Sequence, residues 1–330
     1  MSIMQIVISQ RLTTIFLLSA GAFFISFLKP FGLSPDYSQY ELFFGDLNAD
    51  FAGTAISSRF EPGFVFISGV LIKFLGSDAA AYSVFVLLSI WVKLRWGLKD
   101  ALGVYFWIAV VFYFFKYFPL HELNQLRAAL GAAAAVLAFS IKEDGKTKLA
   151  FYVCCAGVLF HYSVLIILPF LFLPRFDRRG VLLISLVVYA VCALFVTGLQ
   201  QFAAKYFSVL ELYETASGSE KEFNKFSPVF FPEFMLIGFS LWWWRHLTPL
   251  MQRVVYLQLI GFALLYAFSS IGVVAVRTHE FFSVLWIFYV AHAQFVKRRI
   301  RNLIFVFVLL SVAISVYLFF SGSFFDSGYA

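Results

Sequence analysis

The chain has few charged residues and few cysteines. Only 13% of its 330 residues are Asp, Glu, Lys or Arg, against about 25% in typical soluble domains, and this leaves no stretch for a soluble domain. The cysteines, Cys154, Cys155 and Cys192, all lie in apolar runs. Neither their number nor their spacing indicates a disulfide framework or a metal site, so we interpret them as small packing residues.

The sequence also lacks the motifs of soluble-nucleotide chemistry. No residue pair has metal-ligand spacing, and there is no phosphate loop, nucleophile elbow or dinucleotide fingerprint. We therefore expect no metal, no cofactor and no soluble nucleotide as donor. The run Trp242–Arg245 is typical of an interfacial aromatic belt rather than a base-stacking platform, so no nucleic-acid partner is expected.

Apolar residues dominate instead. They make up 62% of the chain, with 45 phenylalanines and a mean hydropathy of +0.88, and long apolar runs recur from Leu12 to Phe320. The sequence predicts an all-α, polytopic transmembrane helical bundle of about 10–11 helices in the lipid bilayer. Residues 1–330 form a single integral membrane domain, and Leu12–Leu28 is interpreted as an uncleaved first span.

The charges separate by side of the membrane. Net charge is +7, and acidic residues gather in two polar stretches, 31–60 and 200–228. Basic residues cluster in the short connections: Lys93/Arg95/Lys99, Lys142/Lys146/Lys148, Arg175/Arg178/Arg179, Arg245/Arg253 and Lys297/Arg298/Arg299/Arg301. The positive-inside rule places the basic connections in the cytoplasm and the two acidic stretches outside, as periplasmic loops.

Two segments have an open topology. In 61–76, Glu61 is a plausible cap and Pro62 a first-turn residue of a helix that is short for a span. In 149–173, an apolar run interrupted at His161 fits either one tilted helix or two half-helices meeting at the histidine.

A polar cluster opens one apolar helix. The segment Phe118–Arg127 precedes an alanine-rich stretch, and the helix is predicted to run on to Ile141, with Pro119 in its first turn. At helical spacing Arg127 shares a face with Asn124 and small residues, which let a neighbouring helix come close. Polar groups at membrane depth must face protein or water. The alternative is a solvated helix end with a snorkelling Arg127.

The charge map places the remaining polar residues together at the outer side, which predicts a single cavity. Its candidate residues are Asp36, Tyr40, Glu61, His121, Asn124, Gln125, Arg127, His161, Arg277, His279 and Glu280. Arg127 and Arg277 could clamp a pyrophosphate through their forked donors, and a carboxylate or histidine could take a proton from a hydroxyl group. Alternatively, Arg277 pairs with Glu280, and His161 is a core histidine bonded to a backbone carbonyl.

Five short motifs carry a family resemblance. They occur in the order Asp36–Tyr40, Phe60–Phe64, Leu123–Arg127, Phe160–Ser163 and Val276–Phe282. The same order of motifs is found in the EpsG-type, Wzy-like polysaccharide polymerases, which the chain resembles over nearly its whole length. The resemblance implies a multi-pass enzyme of the bacterial inner membrane, similar to GT-C glycosyltransferases. Such an enzyme joins oligosaccharide repeat units carried on undecaprenyl pyrophosphate at the periplasmic face, and a chain-length regulator is a candidate partner.

Roles follow from this hypothesis. Arg127 and Arg277 would hold the leaving pyrophosphate, and His161 or Glu61, which begin or interrupt helices, are preferred to Asp36 as the base. The other candidates would bind substrate. A flippase for the same lipid-linked sugar is one rival function, and it would use the arginines for binding only. A membrane acyltransferase acting on surface glycans is another, with His121 or His161 as its base.

Overall fold

The computed structural model describes residues 3–28, 35–206, 227–270 and 272–320. Every regular element within these ranges is helical, which confirms the predicted polytopic all-α class. Seven helices in the described part are long and apolar enough to cross a membrane: Gln10–Leu28, Asp78–Gly97, Val104–His121, Arg178–Gly198, Pro249–Ala267, Val274–Phe295 and Arg298–Phe320.

The chain divides into two compact units. The single integral membrane domain expected from the sequence stays a prediction. The first unit comprises Met1–Phe172 with Val290–Gln294, and the second Leu173–Tyr289 with Phe295–Ala330. Helices that begin in the first unit are α1 (Ile3–Leu28), α2 (Pro35–Ala49), α3 (Phe51–Ser57), α4 (Pro62–Leu75), α5 (Asp78–Gly97), α6 (Val104–Lys116), α7 (Phe118–His121), α8 (Leu126–Glu143), α9 (Thr147–Val158) and α10 (Val164–Leu171). Those that begin in the second are α11 (Arg178–Tyr206), α12 (Phe231–Trp242), α13 (Pro249–Ala267), α14 (Gly272–Ser283), α15 (Trp286–Ala291) and α16 (Arg298–Phe320), with short 3-10 turns at Pro228–Phe230 and Trp244–His246. A further 3-10 turn, His292–Phe295, begins in the first unit.

The stretch 31–60 is not a loop over most of its length, because α2 and α3 occupy it. The apolar side chains of α2 recur at helical spacing, and Tyr40, Phe43, Phe44 and Leu47 are all buried. Phe43 stacks on Phe64 of α4 at 5.6 Å between ring centroids. This stripe was present in the sequence and was overlooked because the segment as a whole is polar. The side of the membrane on which it lies stays a prediction.

The helix predicted to run from Phe118 to Ile141 is broken. Pro119 does lie in the first turn of a helix, but α7 ends at His121, and a turn separates it from α8. The turn closes by backbone bonds, among them one from the Gln125 amide to the His121 carbonyl at 2.9 Å. Asn124 therefore lies in the turn and shares no helical face with Arg127, although Gly131 of α8 is buried as predicted.

Both segments of open topology have the local structure that the sequence favoured. Glu61 is the N-cap residue of α4, Pro62 its first residue, and Gly76 ends the helix at a φ of 63°, a conformation that glycine adopts without steric cost. The run 149–173 consists of two half-helices, α9 and α10, and His161 lies in the break between them. The break confirms the half-helix interpretation.

Two smaller predictions need correction, and a third falls mostly on residues that the structure does not describe. Lys93, assigned to a cytoplasmic basic cluster, is fully buried inside α5. The three cysteines are free, but only Cys154 is buried, and Cys155 is exposed, so the packing interpretation fails for it. Most of the predicted loop 200–228 lies outside the described residues, which in this region comprise the end of α11, to Tyr206, and Ser227–Pro228.

Candidate functional site

An ion pair joins two of the predicted site residues in the first unit. Nη1 of Arg127 donates to Oε2 of Glu61 at 2.7 Å. Although Glu61 occupies the N-cap position, its side chain bonds no amide of α4, because the carboxylate turns to α8 instead. The Glu61 side chain is 4% exposed and that of Arg127 22%. Arg127 is therefore the accessible member of the pair, and Glu61 holds it from beneath.

Aromatic side chains fix the orientation of the Arg127 guanidinium. Its Cζ lies 4.2 Å from the centroid of the Phe60 ring, a cation–π contact that suits the planar group. The hydroxyl of Tyr40 accepts the backbone N–H of Arg127 at 3.3 Å and ties α2 to the start of α8. Nε of Arg127 is buried and has no hydrogen-bond partner within the described residues. The guanidinium thus retains donor capacity at a rigid position.

The break between α9 and α10 completes this site. The amides of Gly63 and Phe64 donate to the Leu159 carbonyl at 3.0 and 3.2 Å, so the first turn of α4 caps the end of α9. A Cβ on Gly63 would lie 2.8 Å from that carbonyl oxygen, and only glycine allows the approach. The Tyr162 amide donates to Oε1 of Glu61 at 3.4 Å.

His161 lies beside the ion pair. Its Nδ1 is 3.9 Å from Oε1 of Glu61 and accepts the amide of Ser163 at 3.2 Å. With Nδ1 accepting, the neutral ring carries its proton on Nε2. The structure therefore brings Tyr40, Glu61, Arg127 and His161 together, as the sequence predicted.

A second buried cluster adjoins the turn before α8 and was missed by the sequence analysis. Lys93 of α5 pairs with Oε1 of Glu122 at 2.6 Å, and both side chains are fully buried. The same oxygen accepts the hydroxyls of Tyr113 at 2.7 Å and Ser89 at 3.0 Å. The sequence signals were the polar segment Phe118–Arg127, which contains Glu122, and a lysine inside an apolar run, but nothing in the sequence pairs the two.

His121 belongs to this cluster in the structure. It is 1% exposed, and its Nδ1 lies 3.3 Å from Nζ of Lys93. Gln125 is also buried and sits in the turn, and its Oε1 accepts no hydrogen bond from the described residues. Asp36 lies on α2, but its side chain is outside the described part of the chain.

The remaining predicted residues lie on α14 in the second unit. Nε2 of His279 is 3.3 Å from Oε2 of Glu233, a close contact without good hydrogen-bond alignment. The indole N–H of Trp286 donates to the same oxygen at 3.1 Å. The sequence analysis did not identify Glu233 as a site residue. Its only signal there is a carboxylate within an apolar run, directly after Pro232. Glu280 is buried, and Arg277 is half-buried. A joint grip of Arg127 and Arg277 on one substrate stays a prediction.

Metal ligation has no visible basis in the described residues, where no three His, Cys, Asp or Glu side chains are grouped to hold an ion. The chemistry available at the Glu61–Arg127 site is anion binding and proton transfer.

These features define a class, a multi-pass membrane protein with a buried polar site built around an arginine at a helix start. The family can also be stated. The EpsG family model matches residues 10–328, and the chain belongs to the EpsG family. Comparison with curated proteins and with solved structures gave no match. Family membership gives the protein a polymerase-type role in polysaccharide biosynthesis.

Proposed function

We propose that the protein polymerises a surface polysaccharide, such as O-antigen, capsule or exopolysaccharide, by glycosyl transfer between repeat units linked to undecaprenyl pyrophosphate. The reaction takes place at the periplasmic face of the bacterial inner membrane. A sugar hydroxyl of one unit attacks the anomeric carbon of the other. The new glycosidic bond forms as the bond to the pyrophosphate oxygen breaks, the hydroxyl proton passes to a base, and undecaprenyl pyrophosphate leaves.

The observation that carries this proposal is the Arg127–Glu61 pair, where residues of four of the five motifs meet. Arg127 is positioned by Phe60 and Glu61, is partly exposed, and keeps a buried Nε donor without a partner in the described residues. A pyrophosphate offers several oxygens to such a forked donor set, and charge-assisted bonds of this kind are among the strongest that proteins make. Arg127 therefore binds the leaving group, and a contribution of Arg277 stays a prediction from the sequence.

Glu61 is the better candidate for the base. Nδ1 of His161 is already engaged by the Ser163 amide, so the neutral imidazole offers a donor rather than an acceptor. When pyrophosphate oxygens take over the donors of Arg127, Oε2 of Glu61 loses its bond to Nη1 and can accept the hydroxyl proton. Binding of the donor substrate thus activates the carboxylate. Within the first unit, Tyr40 supports this site through its bond to the Arg127 amide. Substrate contacts by His121, Asn124, Gln125, His279 and Glu280 stay predictions from the sequence.

The test is reconstitution of the purified protein in liposomes with lipid-linked repeat units. We expect a ladder of longer lipid-linked glycans, with one undecaprenyl pyrophosphate released for each glycosidic bond formed. A matched preparation carrying Arg127→Lys gives the background. Movement of the lipid-linked unit across the bilayer without chain growth would instead identify a flippase, and transfer of an acyl group to the glycan would identify an acyltransferase.

A further inference from the structure

A pocket in the second unit lies where two membrane spans begin. Val181, in the first turn of α11, and Pro249, the first residue of α13, both line it. Each of these helices is long and apolar enough to cross a membrane, so the pocket is at the membrane–water boundary of both. Since both N-terminal ends meet there, the two spans enter the membrane from the same side. This agrees with the charge map, which put the arginines around both helix starts on one side.

The pocket is built for an anion. Arg175 and Arg253 line it, and none of its described lining residues is acidic. Arg253 is 7% exposed and is fixed by a bond from Nη2 to the Leu173 carbonyl at 2.8 Å. The positive ends of two helix dipoles add to this charge. The neighbouring Asp177 does not line the pocket, and its Oδ1 accepts the Gly180 amide at 2.8 Å.

Tyr256 supplies an independent sign of a ligand. The residue lines the pocket and is only 3% exposed. Its hydroxyl is buried and makes no hydrogen bond to any described residue, and its ring is held against Phe176 at 5.6 Å between centroids. A buried hydroxyl without a partner is costly, so its position indicates an acceptor that the described residues do not provide.

The residues around the pocket indicate that the anion belongs to a membrane lipid. Trp242, two residues before the lining residue Trp244, is 78% exposed, as expected for a side chain at the headgroup level. On α11, Leu182, Leu183 and Leu186 are exposed just beyond the pocket and offer an apolar surface to acyl chains. We propose that this pocket binds the phosphate headgroup of an anionic phospholipid, with its oxygens accepting from Arg175, Arg253 and the Tyr256 hydroxyl.

The experiment is native mass spectrometry of the full-length protein in detergent, titrated separately with phosphatidylglycerol, phosphatidylcholine and inorganic phosphate. We expect one phosphatidylglycerol to be retained about tenfold more tightly than phosphatidylcholine, and inorganic phosphate not to compete with it at millimolar concentration. Retention of inorganic phosphate with no preference for phosphatidylglycerol would overturn the assignment to a lipid.

Two variants avoid the risk of misfolding that Arg253→Gln would carry. Arg175→Gln removes an exposed charge from the pocket, and Tyr256→Phe removes only the hydroxyl. We expect the first to weaken retention of phosphatidylglycerol about tenfold and the second about threefold to tenfold. Arg245→Gln, an exposed arginine at the same end of the spans but outside the pocket, is the control and should leave retention unchanged. Equal retention by all three variants would overturn the proposal.

Discussion

Arg127 and Glu61, 66 residues apart in the sequence, form a 2.7 Å ion pair that joins the start of α8 to the start of α4. The pair is asymmetric, because the carboxylate is nearly covered while the guanidinium is partly exposed. A charged ligand can therefore reach Arg127 first, and its binding releases the covered Glu61 carboxylate from the guanidinium. This relationship separates the roles of the two residues and underlies the first two predictions.

Arg127→Lys is expected to lose most polymerisation although it keeps the charge. An ammonium cannot reproduce the planar, two-pronged grip of a guanidinium on phosphate oxygens, and we expect a loss of at least about 100-fold in rate. Chain growth by the reconstituted protein at matched protein levels is the measurement, and Arg277→Lys tests the second arginine in the same way.

Arg59→Lys is the matched control for this exchange. Arg59 is also near the Phe60 ring, at 5.9 Å from its centroid, but it is exposed and bonds Gln39. It should retain activity. Full activity of Arg127→Lys would assign Arg127 a structural role.

Glu61→Gln separates proton transfer from positioning. Glutamine keeps an oxygen that can accept from Arg127, so binding of the lipid-linked unit should change by less than about threefold, while turnover should fall about 100-fold or more because the amide cannot take a proton. Binding is measured by titration of the purified protein with the lipid-linked unit, and turnover by chain growth.

His161→Gln is the counterpart to Glu61→Gln. The glutamine oxygen can accept the Ser163 amide as Nδ1 does now, and we expect most activity to remain, whereas His161→Ala should lower the amount of folded protein through loss of that bond. If His161→Gln were as inactive as Glu61→Gln and just as well folded, the base would be His161.

Gly63→Ala should destabilise the protein without any change of charge. The added Cβ would lie 2.7 Å from Cβ of Leu159 and 2.8 Å from its carbonyl oxygen, and relieving such overlap costs about 1–3 kcal/mol. Thermal unfolding in detergent measures the effect. Gly45→Ala is the control, since nothing lies within 4 Å of its Cβ position. It should be neutral or slightly stabilising, because alanine favours a helix. Equal behaviour of both variants would contradict the close packing of α4 against α9.

Lys93→Met should destabilise the first unit strongly. It leaves the Glu122 carboxylate buried without its cation, and such uncompensated charges cost about 3–5 kcal/mol. The double variant Lys93→Met/Glu122→Leu removes both charges and should recover part of the loss. A double-mutant cycle compares the unfolding temperatures of the wild type, Lys93→Met, Glu122→Leu and the double variant. Additive losses would show that the two residues do not interact.

Labelling from outside tests the topology. Cysteine placed at Ala55 in the acidic stretch should react with a membrane-impermeant reagent in intact cells, whereas cysteine at Lys146 or Lys297 should react only after lysis. These positions are exposed. The native cysteines must first be replaced, because Cys155 is exposed. Labelling of Lys146→Cys in intact cells would show that the orientation is opposite to the predicted one and that the Glu61–Arg127 site lies on the cytoplasmic side.

The sequence by itself determined the class and several local features. Hydropathy fixes a multi-pass helical protein because the bilayer accepts only segments that satisfy their own backbone. Pro62 and Gly76 bound α4 as expected, since proline and glycine act through their own backbone conformations. The order of the family motifs also named the residues that meet around Arg127.

Only the tertiary structure decided how charges are partnered. The sequence around Lys93 does not show that Glu122, 29 residues away, neutralises it. A lysine near the end of a span is equally typical of a cytoplasmic anchor. The broken helix before α8 and the buried apolar side chains of α2 also depend on the tertiary structure. Their stability comes from contacts with distant helices, and a buried charge or a turn at membrane depth is tolerated only where those contacts exist.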